Sequence, residues 1–133
     1  MLRFLVVLAV TATAALTTAP GLAGAAPEGD GVLCSYTMSD PHVVDVSGTQ
    51  MVSATLTPSG CSDSAKPINS QVCLTTANNA GRCAELPGYA TAHTYLSPYV
   101  PGQSYTATGR GCATRTQTPA VVCSSVGPQT ATL

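Results

Sequence analysis

The residues of this sequence best equipped for chemistry are two histidines, His42 and His93, and six cysteines, Cys34, Cys61, Cys73, Cys83, Cys112 and Cys123. An imidazole becomes a general base when a Ser, Thr or free Cys stands beside it and a third group orients it. Asp40-Pro41-His42 and Asp45 put two carboxylates near one imidazole, but closeness along the chain sets no side-chain geometry, and the segment reads as a solvated polar loop. His93 alternates with Thr91 and Tyr95, which places it on their sheet face in a surface or hydrogen-bonded role. Neither G-x-S-x-G, H-E-x-x-H nor S-x-x-K occurs. The six acidic residues form no evident pair facing a sugar-sized cleft, and they lack the spacing of a calcium loop. The reading is a non-enzyme with no cofactor and no metal.

The cysteines point elsewhere. No C-x-x-C pair exists and neither histidine lies near a cysteine, so a zinc site is disfavoured. An even number of cysteines in a short exported chain reads as a disulfide framework. Two pairings follow from local geometry. Cys73 and Cys83 flank Thr75-Thr76-Ala77-Asn78-Asn79-Ala80-Gly81, whose Asn pair and Gly tolerate the left-handed conformations of a hairpin loop. Cys112 and Cys123 bracket Thr116-Gln117-Thr118-Pro119, a second polar loop. Cys34 with Cys61 follows by elimination. Each bridge is expected to contribute about 2 to 4 kcal/mol.

Export is read from the amino terminus. Arg3 supplies a positive start, an apolar run from Phe4 reaches Leu16, Pro20-Gly21 breaks it, and Ala23-Gly24-Ala25 offers the small-x-small pattern of a cleavage site. The run is shorter than the roughly 20 apolar residues that cross a bilayer. Residues 1–25 are therefore expected to be a removed signal peptide, 26–31 a flexible tail, and 32–133 one domain without a membrane span. Val32-Leu33-Cys34 is a poor lipoprotein box, with Gly31 and Leu33 where the pattern wants Leu and a small residue. The product is expected to be secreted.

Composition bounds what that domain can be. After processing, four basic residues (Lys66, Arg82, Arg110, Arg115) face six acidic ones, a net charge of −2. The four are scattered, which argues against nucleic acid and against a basic membrane-binding surface. Residues 26–133 contain no Trp or Phe, leaving Tyr36, Tyr89, Tyr95, Tyr99 and Tyr105 as the large aromatic side chains. Burial at about 25 cal/mol per Å² then gives a thin core, for which staples compensate. About a quarter of these residues are Ser or Thr, suited to the solvated face of an antiparallel sheet. Alternating patterns predict strands at 52–57, 71–75, 89–96, 104–111 and 119–126, with a turn at Pro58-Ser59-Gly60. The fold expected is all-β.

Tyr99-Val100-Pro101-Gly102-Gln103-Ser104-Tyr105 resembles the corner between strands E and F of fibronectin type III and other immunoglobulin-like domains. The resemblance implies a small immunoglobulin-like antiparallel β-sandwich, stapled here by three disulfides. It also implies that the Tyr105 hydroxyl returns to upstream backbone after a Pro101-Gly102 turn, with Tyr99 where the family has an apolar residue. The Ala- and Thr-rich leader resembles those of small exported actinobacterial proteins, including mycobacterial ones. Some such proteins are immunoglobulin-like carriers of enediyne antibiotics and others are protease inhibitors; the lack of Trp and Phe argues against a carrier's aromatic cleft.

Two functional expectations follow. The first is a non-enzymatic extracellular interaction module for an extracellular protein or cell-envelope component, with Tyr89, Tyr95 and Tyr99 as candidate contacts or, alternatively, as core filling. The second is a small secreted protease inhibitor or antimicrobial factor presenting Arg82 or Arg115 on a cystine-braced loop.

Overall fold

A computed structural model describes residues 31–62, 64–117 and 120–133. The expected signal segment, residues 26–30 of the expected tail, and Asp63, Thr118 and Pro119 lie outside the described residues.

Where the sequence alternates β-branched and polar residues, the backbone is extended, because each strand then offers one apolar and one solvated face. Eight strands form, with no helix among the described residues: β1 (Cys34–Met38), β2 (His42–Val46), β3 (Thr49–Cys61), β4 (Ala65–Thr76), β5 (Asn79–Pro87), β6 (Ala92–Leu96), β7 (Ser104–Arg115) and β8 (Val121–Thr132). They make two antiparallel sheets. In the first, β1 and β2 follow one another along one edge of β3, and β6 pairs with the other edge. The order of the second is β5-β4-β7-β8.

β1 and β2 behave as one interrupted edge strand. Ser39, Asp40 and Pro41 stand where β3 has only Ala54 and Thr55, so the ladder must skip. Ser39 bridges the gap: its N–H donates to the Thr55 carbonyl (3.1 Å), and its Oγ accepts from the Thr55 N–H (3.0 Å).

Between the sheets, Met38, Val52, Ala54, Leu56, Ala92 and Leu96 of the first pack against Val72, Leu74, Tyr105 and Ala107 of the second. Sizes are complementary rather than uniformly large. The inward positions of β7 run Tyr105, Ala107, Gly109, Gly111, Ala113, mostly small, and the bulk comes from the opposite sheet. The Tyr36 ring lies over Gly111, where an added Cβ would fall 2.2 Å from ring carbons. Its hydroxyl donates to the Cys112 carbonyl at 2.9 Å, beside the register shift that Pro67 and Asn69 impose on the β4–β7 ladder. Pro67 has no N–H to give, so a carbonyl at this irregularity is served by a side chain from the other sheet.

Burial raises the Tyr36 phenol above its ordinary value of 10.0. The folded chain therefore holds this proton more tightly than the unfolded chain does, and unfolding above pH 10 releases it. Stability from this group is fully present below pH 10 and is lost as pH rises through the folded value. Denaturant midpoints measured from pH 7 to pH 11 are expected to fall at the alkaline end, and to fall less in Tyr36→Phe. An equal fall in both proteins would remove Tyr36 as the cause.

Ser70 presents the opposite case. It is fully buried on the inner face of β4, and its hydroxyl has no hydrogen-bond partner among the described residues. An unsatisfied buried hydroxyl costs about 1–3 kcal/mol. Ser70→Ala is accordingly expected to raise the unfolding free energy by about 1 kcal/mol, read from denaturant melts; a loss would mean that the hydroxyl is satisfied in solution.

The strand expectations need several corrections. Pro58-Ser59-Gly60 is no turn but part of β3, with Pro58 opposite Tyr36. β6 pairs only as far as Leu56, so beyond it the far edge of β3 has no partner strand among the described residues and a missing N–H is tolerated there. The polar segment read as a loop contains β2, because His42 to Val46 pair in register with Ser53 to Thr49. The expected strand from Tyr89 begins only at Ala92, since Gly88 and Tyr89 form a turn. The last strand starts at Val121 and runs on to Thr132. The β4–β5 turn is shorter than expected and consists of Ala77-Asn78 alone. Gly81 lies within β5, where Ala80 and Gly81 together face Thr75. That bulge needs the left-handed φ of +88° at Gly81, and a Cβ there would strike the Leu74 carbonyl.

Candidate binding surface

The cysteines pair as Cys34–Cys61, Cys73–Cys83 and Cys112–Cys123. Each bridge joins directly opposed residues of neighbouring antiparallel strands. Their surroundings differ. Cys34 is buried with Leu33, Ala65 and Ala113 in a second, smaller apolar cluster. The other two bridges sit on the outer face of the second sheet, where Cys83 and Cys123 are exposed. Three disulfides are characteristic of proteins that mature outside the reducing cytosol.

Alternation fixes that outer face. Val72 and Leu74 point inward on β4, so Gln71 and Cys73 point outward; Ala107 and Gly109 point inward on β7, so Thr108 and Arg110 point outward. Register then sets Glu85, Gln71, Arg110 and Ser125 in one row across all four strands. The Glu85 carboxylate accepts from the Asn69 amide (3.0 Å) and the Gln71 amide (3.5 Å). One row away, Thr108 faces two residues of β8, Gly127 and Pro128, and this bulge raises a rim. The result is an open groove of about 300 Å³ lined by Gln71, Cys73, Thr108, Arg110, Ser125 and Pro128. It offers a guanidinium and two hydroxyls on strands braced by the two exposed cystines. Such a lining can hold an anionic or carbonyl-bearing group.

Nothing matches in comparisons of this chain with protein-family models, curated proteins and solved structures.

The other candidate residues are dispersed. Tyr105 is buried, and its hydroxyl accepts from the Val100 N–H (2.9 Å) and donates to the Gln103 side-chain oxygen (3.4 Å). Pro101-Gly102 forms the turn between them, with Gly102 at a φ of +79°. Tyr99 is half-buried and packs against the main core, whereas Tyr89 and Tyr95 are exposed. Tyr95 and Arg82 do meet, at a small cleft of about 100 Å³ that His93 also lines, between the edges of β5 and β6. Arg82 is paired opposite Leu74 in the β4–β5 ladder, so it is not offered on a loop tip. Arg115 ends β7, exposed, opposite Ala65.

Both histidines lie on the outer face of the first sheet, on opposite sides of β3: His42 is paired with Ser53 and His93 with Thr55. The His42 Nδ1 donates to the backbone oxygen of Asp40 at 2.9 Å, not to a carboxylate. Among the described residues, no group of His, Cys, Asp and Glu is placed to hold a metal ion, and no helix is long and apolar enough to cross a membrane.

Sequence reasoning missed the groove and the role of Tyr36. Along the sequence, Arg110 is only one of four scattered cations. The Gly127-Pro128 pair was the local signal available, since a Gly-Pro inside a strand pattern marks a bulge that re-aims neighbouring side chains.

Proposed function

We propose that the chain is a non-enzymatic extracellular binding module of immunoglobulin-like architecture. It engages an extracellular protein or cell-envelope component through the outer face of the second sheet. The observation that carries this reading is the groove around Arg110, where polar side chains converge on rigid, cystine-braced strands. Holding a ligand needs only such fixed donors.

The architectural part of the proposal rests on two features. With β1 and β2 counted as one interrupted strand, the remaining order divides the strands between two facing antiparallel sheets in the manner of that class. The penultimate strand also opens on Tyr105, whose hydroxyl reaches back to Val100 across a Pro-Gly turn.

The test is retention of cell-envelope and culture-fluid components by the immobilised, oxidised protein, compared with Arg110→Ala and with a reduced, unfolded control. A component held by the native protein and lost from both comparators is the expected result. Retention that is unchanged in Arg110→Ala, or no retention above the unfolded control, overturns the groove as the binding site.

A further inference from the structure

We infer that the upper half of β8, residues 121–126, is a self-association edge through which two copies of this chain pair antiparallel and join their second sheets.

A sheet edge presents unpaired N–H and C=O groups, and proteins usually blunt such edges with charge, proline, interruption or cover. The other edges among the described residues are treated that way, the far edge of β3 beyond Leu56 by Pro58. The edge formed by β1 and β2 is broken at Ser39 to Pro41 and carries Asp40 and Asp45. β5 carries Arg82, Glu85 and Pro87. It also lies against β6, whose Thr94 hydroxyl donates to the Arg82 carbonyl at 3.0 Å. On β8 no residue from Val121 to Thr132 is charged. Its lower half is nevertheless guarded: Gly127-Pro128 bulges, and the Gln129 amide, oriented with its NH2 group toward Ser39, reaches that carbonyl at 3.2 Å and the Asp40 carboxylate at 3.1 Å. The stretch from Val121 to Val126 has neither bulge nor charge, and Val121 is well exposed.

The direction of its free groups can be read from the disulfide. Antiparallel strands alternate between close, non-hydrogen-bonded pairs and wider, hydrogen-bonded ones. The Cα atoms of Cys112 and Cys123 are 4.0 Å apart, which makes theirs a non-hydrogen-bonded pair. The N–H and C=O of Cys123 therefore point away from β7, toward the side where β8 has no partner strand among the described residues. The same holds two residues away for Val121 and Ser125, which keep the same register with Thr114 and Arg110.

A second copy fits this edge by symmetry. Under a two-fold axis at Cys123, that residue exchanges both backbone hydrogen bonds with its own mate, and Val121 exchanges both with Ser125 of the second copy. In that register Cys123 meets its own copy, Val121 faces Ser125 and Val122 faces Ser124 of the second copy, so only a charge on this strand could oppose the pairing electrostatically. There is none to repel.

Amide hydrogen exchange on the oxidised protein, across a concentration series, tests this together with sedimentation. The expected result is that the Val121, Cys123 and Ser125 amides slow as concentration rises, while Val122 and Ser124 are protected throughout. The mass should rise toward twice that of the monomer. Ser125→Pro removes an outward N–H without touching the β7 ladder, and Val121→Lys places on the edge a charge of the kind that guards natural edge strands against pairing; either should return the protein to monomer. Retained cooperative unfolding shows that the variants are folded, and Val121→Lys serves if the proline is not tolerated. A monomer at every concentration, with concentration-independent exchange at those three amides, overturns the inference, even if an added foreign peptide then occupies the edge. Loss of dimer in Val121→Lys with envelope binding intact would leave the Arg110 groove standing, so the two readings can fail separately.

Discussion

Cys34→Ala with Cys61→Ala is expected to be the most damaging of the three possible cystine removals, lowering the unfolding free energy by about 2–5 kcal/mol. Loop closure sets the first part of this order. The Cys34–Cys61 bridge closes a separation of 27 residues, against 10 for Cys73–Cys83 and 11 for Cys112–Cys123. The chain-entropy relation converts these into about 3.5 and about 2.7 kcal/mol. Packing adds to the difference. Cys34 is buried among Leu33, Ala65 and Ala113, so its truncation also opens the smaller apolar cluster, whereas Cys83 and Cys123 face solvent. Denaturant melts of the three double variants give the ranking. Mild reduction followed by alkylation and peptide mass spectrometry offers an independent reading: the two outer-face bridges should open before Cys34–Cys61, because a reductant must reach sulfur to attack it. Equal losses in all three variants, or early opening of Cys34–Cys61, would contradict the distinction between buried and exposed staples.

Gly111→Ala is expected to cost about 2–6 kcal/mol, a large effect for one methyl group. The added carbon would stand 2.2 Å from the Tyr36 ring, and the ring cannot simply swing aside, since its hydroxyl is tied to the Cys112 carbonyl. Overpacking of this kind costs about 1–3 kcal/mol, and breaking the hydrogen bond leaves a part-buried carbonyl unserved at up to about 1–3 kcal/mol more. Because both penalties pass through Tyr36, the losses from changing Gly111 and from changing Tyr36 should not add. In a Tyr36→Ala background, Gly111→Ala is expected to be nearly neutral. A double-mutant cycle measured by chemical denaturation checks this, and additive losses would show that the cost at Gly111 comes from backbone rather than from the ring.

These two sites illustrate different degrees of legibility. The pairings Cys73–Cys83 and Cys112–Cys123 are legible because each spans a single hairpin, and hairpin geometry is a local property of a turn and its flanking strands. The contact of Tyr36 with Gly111 and Cys112 has no local signature: donor and acceptor are 76 residues apart, and the partners lie in different sheets. The same holds for Arg110. Its place among scattered cations says nothing of a groove until register sets it between Gln71 and Ser125 and the β8 bulge builds the wall.

By itself, the order of residues determined an all-β chain with short turns, two hairpin staples, a third by elimination, and a core without large aromatics apart from tyrosine. These follow from alternation, turn chemistry and counting, which act over a few neighbouring positions. Only the tertiary structure decided which cystine is buried, which tyrosine fills the core, where a polar row becomes a groove and which sheet edge is left open. Each of those depends on what is packed alongside from a distant part of the chain, and a strand's sequence looks the same whether its edge is covered or free.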